Sequence, residues 1–186
     1  AKGIVVVSLD NRSAMVELVS VDIASIGITP VIPEGGFVYD GTEKTPELTF
    51  DTDEKLVEGE DYTVSFINNV SAGVASAIIT ATQDGKCVGT SVINFTIEAC
   101  DISSATLEVG FDGKNDPQVK VTLGELELIE GKDYTVNITY SGDGMKAIVN
   151  ITGIGNFKGF ISQKFDLDQN YTLIHQSLLL QQLWLF

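Results

Sequence analysis

Histidine, cysteine and basic residues are scarce in this chain, and each shortage excludes a class of function. The single histidine, His175, excludes a histidine-based triad or a histidine-rich metal site within one chain. The two cysteines are too few for a disulfide framework. With 11 basic and 26 acidic residues the net charge is −15, which argues against nucleic acid and anionic membrane surfaces as partners.

Long apolar runs are missing as well. No stretch reaches the roughly 18 apolar residues that a membrane-spanning helix needs. Residues 173–186 contain no Asp, Glu, Lys or Arg, but this segment is too short to count. We therefore expect no membrane span.

The cysteines, Cys87 and Cys100, are expected to be free and buried. If they flank one strand, about eight extended residues at roughly 3.3 Å each separate them. A disulfide requires a Cα separation below about 7 Å, so a bridge between them is disfavoured.

One stretch of the sequence occurs twice. Residues 58–64 read Glu-Gly-Glu-Asp-Tyr-Thr-Val, and residues 130–136, 72 positions later, read Glu-Gly-Lys-Asp-Tyr-Thr-Val. Apolar and polar residues alternate after each copy, which predicts a short turn leading into a half-buried strand with the Tyr as its first inward residue. A repeat of this spacing predicts two tandem domains of roughly 70–80 residues.

Further signals recur in the same order and set the domain boundaries. Each copy opens on Asp-Ile-x-Ser, at Asp22 and Asp101, and later has a proline, Pro46 or Pro117, that fits an edge strand or the start of a strand. Turn signals divide each copy into six or seven short strands, and helical periodicity is missing before residue 170. This predicts an all-β chain of two tandem immunoglobulin-like β-sandwich domains preceded by a β-hairpin. The predicted segments are an N-terminal hairpin resembling the end of a preceding repeat (1–21), sandwich repeat 1 (22–98), sandwich repeat 2 (99–168) and an apolar C-terminal tail (169–186).

The two ends of the chain suggest self-assembly. Residues 3–21 predict a hairpin around a turn at 10–13, either the last two strands of a repeat whose front half is absent or an unrelated hairpin that caps the first domain. An isolated hairpin is marginally stable in water, and the tail has many apolar residues, so both need a partner. Subunits joined by strand addition would form a filament. The alternative is that either end folds back on its own domain, or that the tail is an artefact with helical or no structure.

The order Tyr-Asp-Gly, Pro, Gly-x-Asp-Tyr-Thr-Val and Gly-x-Gly-Asn-Phe-x-Gly resembles a known family. It is similar to the small immunoglobulin-like repeats of microbial surface proteins, of the MBG type, over residues 22–167. The last motif is present only in the second copy, at residues 153–159. The resemblance implies extracellular stalk or spacer modules in tandem arrays, often in large adhesins, with no catalytic residues to carry over.

Residues that could carry chemistry are few. Asp51, Asp53 and Glu54 could contact Ca²⁺, but they equally suit a solvated turn, and the second copy has no matching acids. Cys87 has no histidine nearby that could activate it. The sequence therefore predicts no catalytic, cofactor-binding or metal-binding residues, no cofactor and no enzymatic activity.

Aromatic residues recur at equivalent places in the two copies. We expect them to pack in the cores rather than to form a sugar-binding platform. They are Tyr39, Tyr62, Phe66, Phe95, Phe111, Tyr134, Phe157 and Phe165.

Asparagines followed by Ser or Thr two positions later are more frequent than chance predicts. Six of the nine asparagines have this pattern, against about one or two expected from 29 Ser and Thr residues. One explanation is N-glycosylation of a secreted glycoprotein, and the other is simple alternation of outward polar residues along strands. The six possible glycosylation sites are Asn11, Asn69, Asn94, Asn137, Asn150 and Asn170.

Together these signals predict an extracellular structural or adhesive module of a cell-surface protein or filament. It would act as a spacer or as a subunit that polymerises by strand addition, with other copies of itself or neighbouring repeats as partners. The alternative is a recognition module that binds a cell-surface protein or glycan through its inter-strand loops. A recognition module is expected to have a concave, aromatic-lined loop cluster that its sister repeat lacks.

Overall fold

A computed structural model describes residues 2–9, 12–111 and 117–167, with side-chain surroundings from residue 20 onward. The described chain is all-β, as predicted, and its one helical turn is the three-residue 3₁₀ segment Ile23–Ser25. The chain divides into two compact units, Ala1–Glu98 and Ala99–Phe186. In the described ranges, no helix has the length and apolar character needed to cross a membrane.

The strands of the first unit are β1 (Lys2–Leu9), β2 (Arg12–Val19), β3 (Val21–Asp22), β4 (Gly27–Pro30), β5 (Phe37–Val38), β6 (Leu48–Asp51), β7 (Tyr62–Ile67), β8 (Gly73–Ala81), β9 (Cys87–Val88) and β10 (Thr90–Glu98). Those of the second unit are β11 (Cys100–Asp101), β12 (Thr106–Gly110), β13 (Gln118–Leu123), β14 (Leu126–Glu127), β15 (Tyr134–Tyr140), β16 (Lys146–Gly153), β17 (Phe157–Lys158) and β18 (Phe160–Asp166). Beyond the hairpin each unit has eight described strands rather than six or seven, because several are only two residues long.

The predicted N-terminal hairpin is confirmed. β1 and β2 pair antiparallel from Lys2 opposite Val19 to Leu9 opposite Arg12. The predicted turn at 10–13 was too wide, because the ladder continues to Arg12 and so places residues 12 and 13 inside β2.

The first unit is built from a four-stranded sheet in the order β5-β10-β8-β7 and a two-stranded sheet of β4 and β6. Alternate residues of β8, namely Ala75, Ala77 and Ile79, are fully buried. Ala77 and Ile79 share a core cluster with Ile28 of β4, and Phe50 of β6 packs against it. Residues of the two sheets therefore meet in one apolar core, in the manner of a β-sandwich.

The second unit has equivalent strand pairings. Its larger sheets have the orders β15-β16-β18 and β12-β13-β14, and β11 pairs parallel with β17 as β3 pairs with β9. Tyr134 lies opposite Gly153, as Tyr62 lies opposite Ala81, each 72 residues earlier. The two tyrosines are 2% and 8% exposed, so their predicted burial at equivalent points is confirmed.

The repeated stretch forms a turn held by a carboxylate. The buried Asp61 side chain accepts hydrogen bonds of 2.9 Å from the backbone N–H groups of Lys86 and Val57. These bonds hold the pKa of Asp61 below its ordinary value. In the second unit Asp133 accepts the corresponding bond from the N–H of Ile129, also at 2.9 Å. The Asp of the repeat is thus required by the turn that precedes the strand.

Candidate functional site

A cleft lies beside the edge strand β7 in the first unit. It has a volume of about 430 Å³ and lies between the segment that leads into β6 and the inward side chains of β7. Pro46, Leu48, Val64 and Phe66 form its apolar lining, and Glu58 stands exposed at its rim.

The second unit has an equivalent cleft beside β15. Its volume is about 520 Å³, and it is lined by Pro117, Val119, Val136 and Ile138 with Glu130 at the rim. Each of these residues has a counterpart in the first cleft by sequence position. Each unit therefore has its own copy of the same concave site.

The hydrogen-bond phase of β7 shows which backbone groups reach the open edge. The carbonyl of Asp61 accepts from the N–H of Thr82 at 3.0 Å, whereas the carbonyl of Tyr62 accepts from Gly59, on the side away from β8. Residues of an antiparallel strand alternate in this respect. The backbone N–H and C=O groups of Thr63 and Ser65 therefore point to β8, and those of Val64 and Phe66 point to the open edge. Among the described residues no strand pairs with β7 on that side.

The same phase holds in β15. The carbonyl of Asp133 accepts from Ile154 at 2.9 Å, and the carbonyl of Tyr134 accepts from Gly131 at 2.8 Å. By the same alternation, Val136 and Ile138 direct their backbone groups away from β16. Both units thus present equivalent edge positions.

Both edge strands lack charged residues. β7 reads Tyr-Thr-Val-Ser-Phe-Ile and β15 reads Tyr-Thr-Val-Asn-Ile-Thr-Tyr, with neither proline nor glycine. By contrast β18, which lies at the other side of β16, carries Lys164 and Asp166. Proteins usually protect open edges with charge or proline, so a β-prone, uncharged edge is suited to accept another strand.

Backbone bonds limit the open stretch of β7 at its far end. The N–H of Lys44 donates to the carbonyl of Asn69 at 2.7 Å, and Asn69 Nδ2 donates to the carbonyl of Lys44 at 3.2 Å. Asn69, a possible glycosylation site, is half-buried and uses its amide nitrogen to hold this loop.

The other described glycosylation motifs lie on sheets. Asn94 is exposed on β10, and its amide oxygen accepts from Ser76 Oγ at 2.8 Å, which leaves its nitrogen outside that bond. Asn137 is exposed on β15, directly opposite the half-buried Asn150 on β16. These two asparagines form one cross-strand pair.

Some predicted features fall outside the described residues. These are Asn11, Asn170, His175 and the tail 169–186. Glycosylation of any of the six asparagines remains a prediction.

The cysteines and the acidic cluster show no reactive arrangement in the described chain. Cys87 and Cys100 are free, as predicted; Cys87 is buried, and burial raises the pKa of its thiol. Cys100 is only half-buried, so its predicted burial is wrong; it lies in β11, which pairs with β17. Within the described ranges no group of three or more His, Cys, Asp or Glu could hold a metal ion. Asp53 and Glu54 lie exposed in a turn.

The aromatic residues pack in the cores, as predicted. Phe95 contacts Phe37 and Phe66, with ring centroids 5.6 Å and 6.3 Å apart, and Phe111 contacts Phe165 at 5.8 Å. All eight predicted aromatics are buried or half-buried. Two equivalences were wrong: in the strand pairing the counterpart of Phe157 is Cys87, and that of Phe66 is Ile138, neither of them aromatic.

Sequence reasoning did not identify the two clefts. The lack of charge in residues 62–67 and 134–140 was the available signal, but an edge strand cannot be recognised before the strand order is known. Comparisons with protein-family models, with curated proteins and with solved structures found no match for this chain.

Proposed function

We propose that this chain is an extracellular structural or adhesive module with no enzymatic role. Two tandem immunoglobulin-like β-sandwich repeats act as a spacer, or as subunits that polymerise by strand addition, in a cell-surface protein or filament. One observation carries this proposal: both units have an uncharged, β-prone edge strand beside a cleft whose lining combines apolar side chains with polar groups. Such edges accept an added strand through backbone hydrogen bonds.

The equivalent ladders of the two units support the tandem-repeat part of the proposal. Val64 lies opposite Ile79 and Val136 opposite Ile151, both pairs displaced by 72 residues. The same register in two units fits repeats of one module, in agreement with the resemblance to surface-protein repeats.

The N-terminal hairpin supports the same interpretation. One residue, Ser20, separates β2 from β3, just as Ala99 alone separates β10 from β11. Along the chain, the hairpin of β1 and β2 therefore stands before the first repeat in the same way that the paired strands β8 and β10 stand before the second. Its connection differs, since residues 82–89 between β8 and β10 include the short β9, whereas only residues 10–11 separate β1 from β2.

The recognition alternative has less support. A hollow of about 380 Å³ at the loop after β7 is lined by Asn68, Asn69, Val70 and Ser71, and none of its described lining residues is aromatic. The two clefts occur in both units, whereas a recognition site was expected in one. These features favour a structural role over loop-based binding.

The oligomeric state of the full chain tests the proposal. Analytical ultracentrifugation over a hundredfold concentration range should show assemblies that grow with concentration. A chain that stays monomeric throughout contradicts the assembly. Native mass spectrometry with and without glycosidase on material from the natural source tests the glycoprotein prediction in the same samples.

A further inference from the structure

We infer that the open edge of β7 is the acceptor for a strand supplied by residues 169–186 of a second copy of this chain. The inference rests on the assembly proposed above and names the two surfaces that form it. The backbone groups of Val64 and Phe66 are the acceptor positions. They lie between the Gly59–Tyr62 and Lys44–Asn69 bonds, so the edge accommodates a strand of roughly five residues.

The cleft defines the chemistry of the strand that fits. Its lining is apolar through Leu48, Val64 and Phe66, and Pro46 offers no backbone N–H. Glu47 and Glu58 stand exposed around it. A suitable strand has large apolar side chains and no carboxylate, because an acid beside these glutamates would be repelled.

The C-terminal segment matches this chemistry. Residues 169–186 contain no Asp, Glu, Lys or Arg, although the net charge of the whole chain is −15. In an extended strand alternate residues share one face, which would place Leu178 and Leu180 together against the cleft. An uncharged segment also lets two strongly acidic chains join without bringing their charged surfaces together.

The segment is long enough to reach a neighbour. Residues 168–186, at about 3.3 Å each, extend up to roughly 60 Å. A head-to-tail contact of this kind does not close on itself and therefore continues into a filament.

Hydrogen exchange on the full chain tests the inference directly. When the protein is concentrated, exchange of the Val64 and Phe66 amides should slow by at least about tenfold, which corresponds to about 1.4 kcal/mol of added local stability. The amides of Thr63 and Ser65, which already face β8, should not change and serve as internal controls for folding. Leu178→Glu with Leu180→Glu should abolish both the slowing and the assembly, whereas Leu178→Met with Leu180→Met should retain them.

The outcomes separate this inference from the proposed function. If the chain assembles but amide exchange at Val64 and Phe66 does not slow, β7 is not the acceptor. The proposed strand addition would then occur at another edge. Slowing that survives the glutamate variant overturns the donor and indicates pairing of β7 with β7 of another copy. Protection of Val64 in a monomer at every concentration shows that the tail binds its own molecule, which overturns this inference and the proposed assembly. A monomer with fast exchange at Val64 overturns the same two claims, and in both cases the spacer role is unaffected.

Discussion

The two units share the backbone turn that precedes the edge strand, but they differ in some of the side chains that fill the core. In both, a carboxylate holds the turn before the edge strand, through Asp61 or Asp133, and a buried tyrosine starts that strand. They differ at positions where a side chain only fills space in the core. For example, buried Cys87 in the first unit corresponds to buried Phe157 in the second. Positions fixed by backbone geometry are therefore shared, whereas core volume can be redistributed as long as the interior stays filled.

The connection before the carboxylate turn differs as well. In the second unit β13 continues through a two-residue turn into β14, with Gly124 at φ 61°. This conformation favours glycine. The first unit has Asp53 and Glu54 in a wider turn after β6. The difference lies outside the core, where changes in loop length cost little stability.

Truncation of the paired tyrosines should have the largest effect. Tyr134→Ala and Tyr62→Ala each remove a buried aromatic ring and should lower the free energy of unfolding by about 3–5 kcal/mol. The loss should be greater for Tyr134, which is the less exposed. Urea denaturation gives the loss, and hydrogen exchange in β8 and β16 locates it. A loss below about 1 kcal/mol in either variant would show that this tyrosine does not anchor its unit.

Two glycines allow a close backbone approach, and their replacement should rank second. A Cβ on Gly85 would lie 2.5 Å from the Cα of Asp61, and one on Gly153 would lie 2.9 Å from the backbone of Lys158. Gly85→Ala and Gly153→Ala should each destabilise by about 1–3 kcal/mol, more at Gly85. Gly142→Ala, where the added Cβ has open space, is the control and should stay within about 0.5 kcal/mol in thermal unfolding. Equal effects in all three variants would contradict the steric explanation.

The carboxylate turn should make the first unit sensitive to acid. Because hydrogen bonds from Lys86 and Val57 hold the folded pKa of Asp61 below its unfolded value, its contribution is present above about pH 4. The contribution is lost as the pH falls through the lowered pKa. The difference between the urea midpoints at pH 7 and pH 3 should therefore be smaller in Asp61→Asn than in the unchanged chain. Asp53→Asn, in an exposed turn, is the matched control for the loss of one carboxylate. An unaltered acid dependence in Asp61→Asn would contradict the assignment.

The hydroxyl groups of the two tyrosines should give the smallest difference. Tyr134 Oη donates to the carbonyl of Val119 at 3.4 Å, a long bond. Tyr134→Phe should therefore cost about 0.5 kcal/mol more than Tyr62→Phe, at the low end for a hydrogen bond. Parallel urea titrations of both variants measure the difference. A larger cost for Tyr62→Phe would reverse the comparison.

The sequence by itself determined the all-β class, the hairpin, and the two strands that begin at Tyr62 and Tyr134. These features follow from local alternation and turn chemistry, which short stretches contain. It also predicted core packing of the aromatics, because large apolar side chains leave water wherever a core exists. Local patterns could not give the two-residue strands β9 and β17, whose formation depends on distant partners.

Only the tertiary structure decided which strands became edges. The uncharged residues of β7 and β15 would suit a central strand equally well. Long-range pairing placed β8 and β16 inside their sheets and left the backbone groups of Val64 and Val136 on an open edge. The same pairing set Asn137 opposite Asn150 and left Cys100 half-buried. Strand order and register come from contacts between residues far apart in the chain, and for that reason the clefts emerged only from the folded molecule.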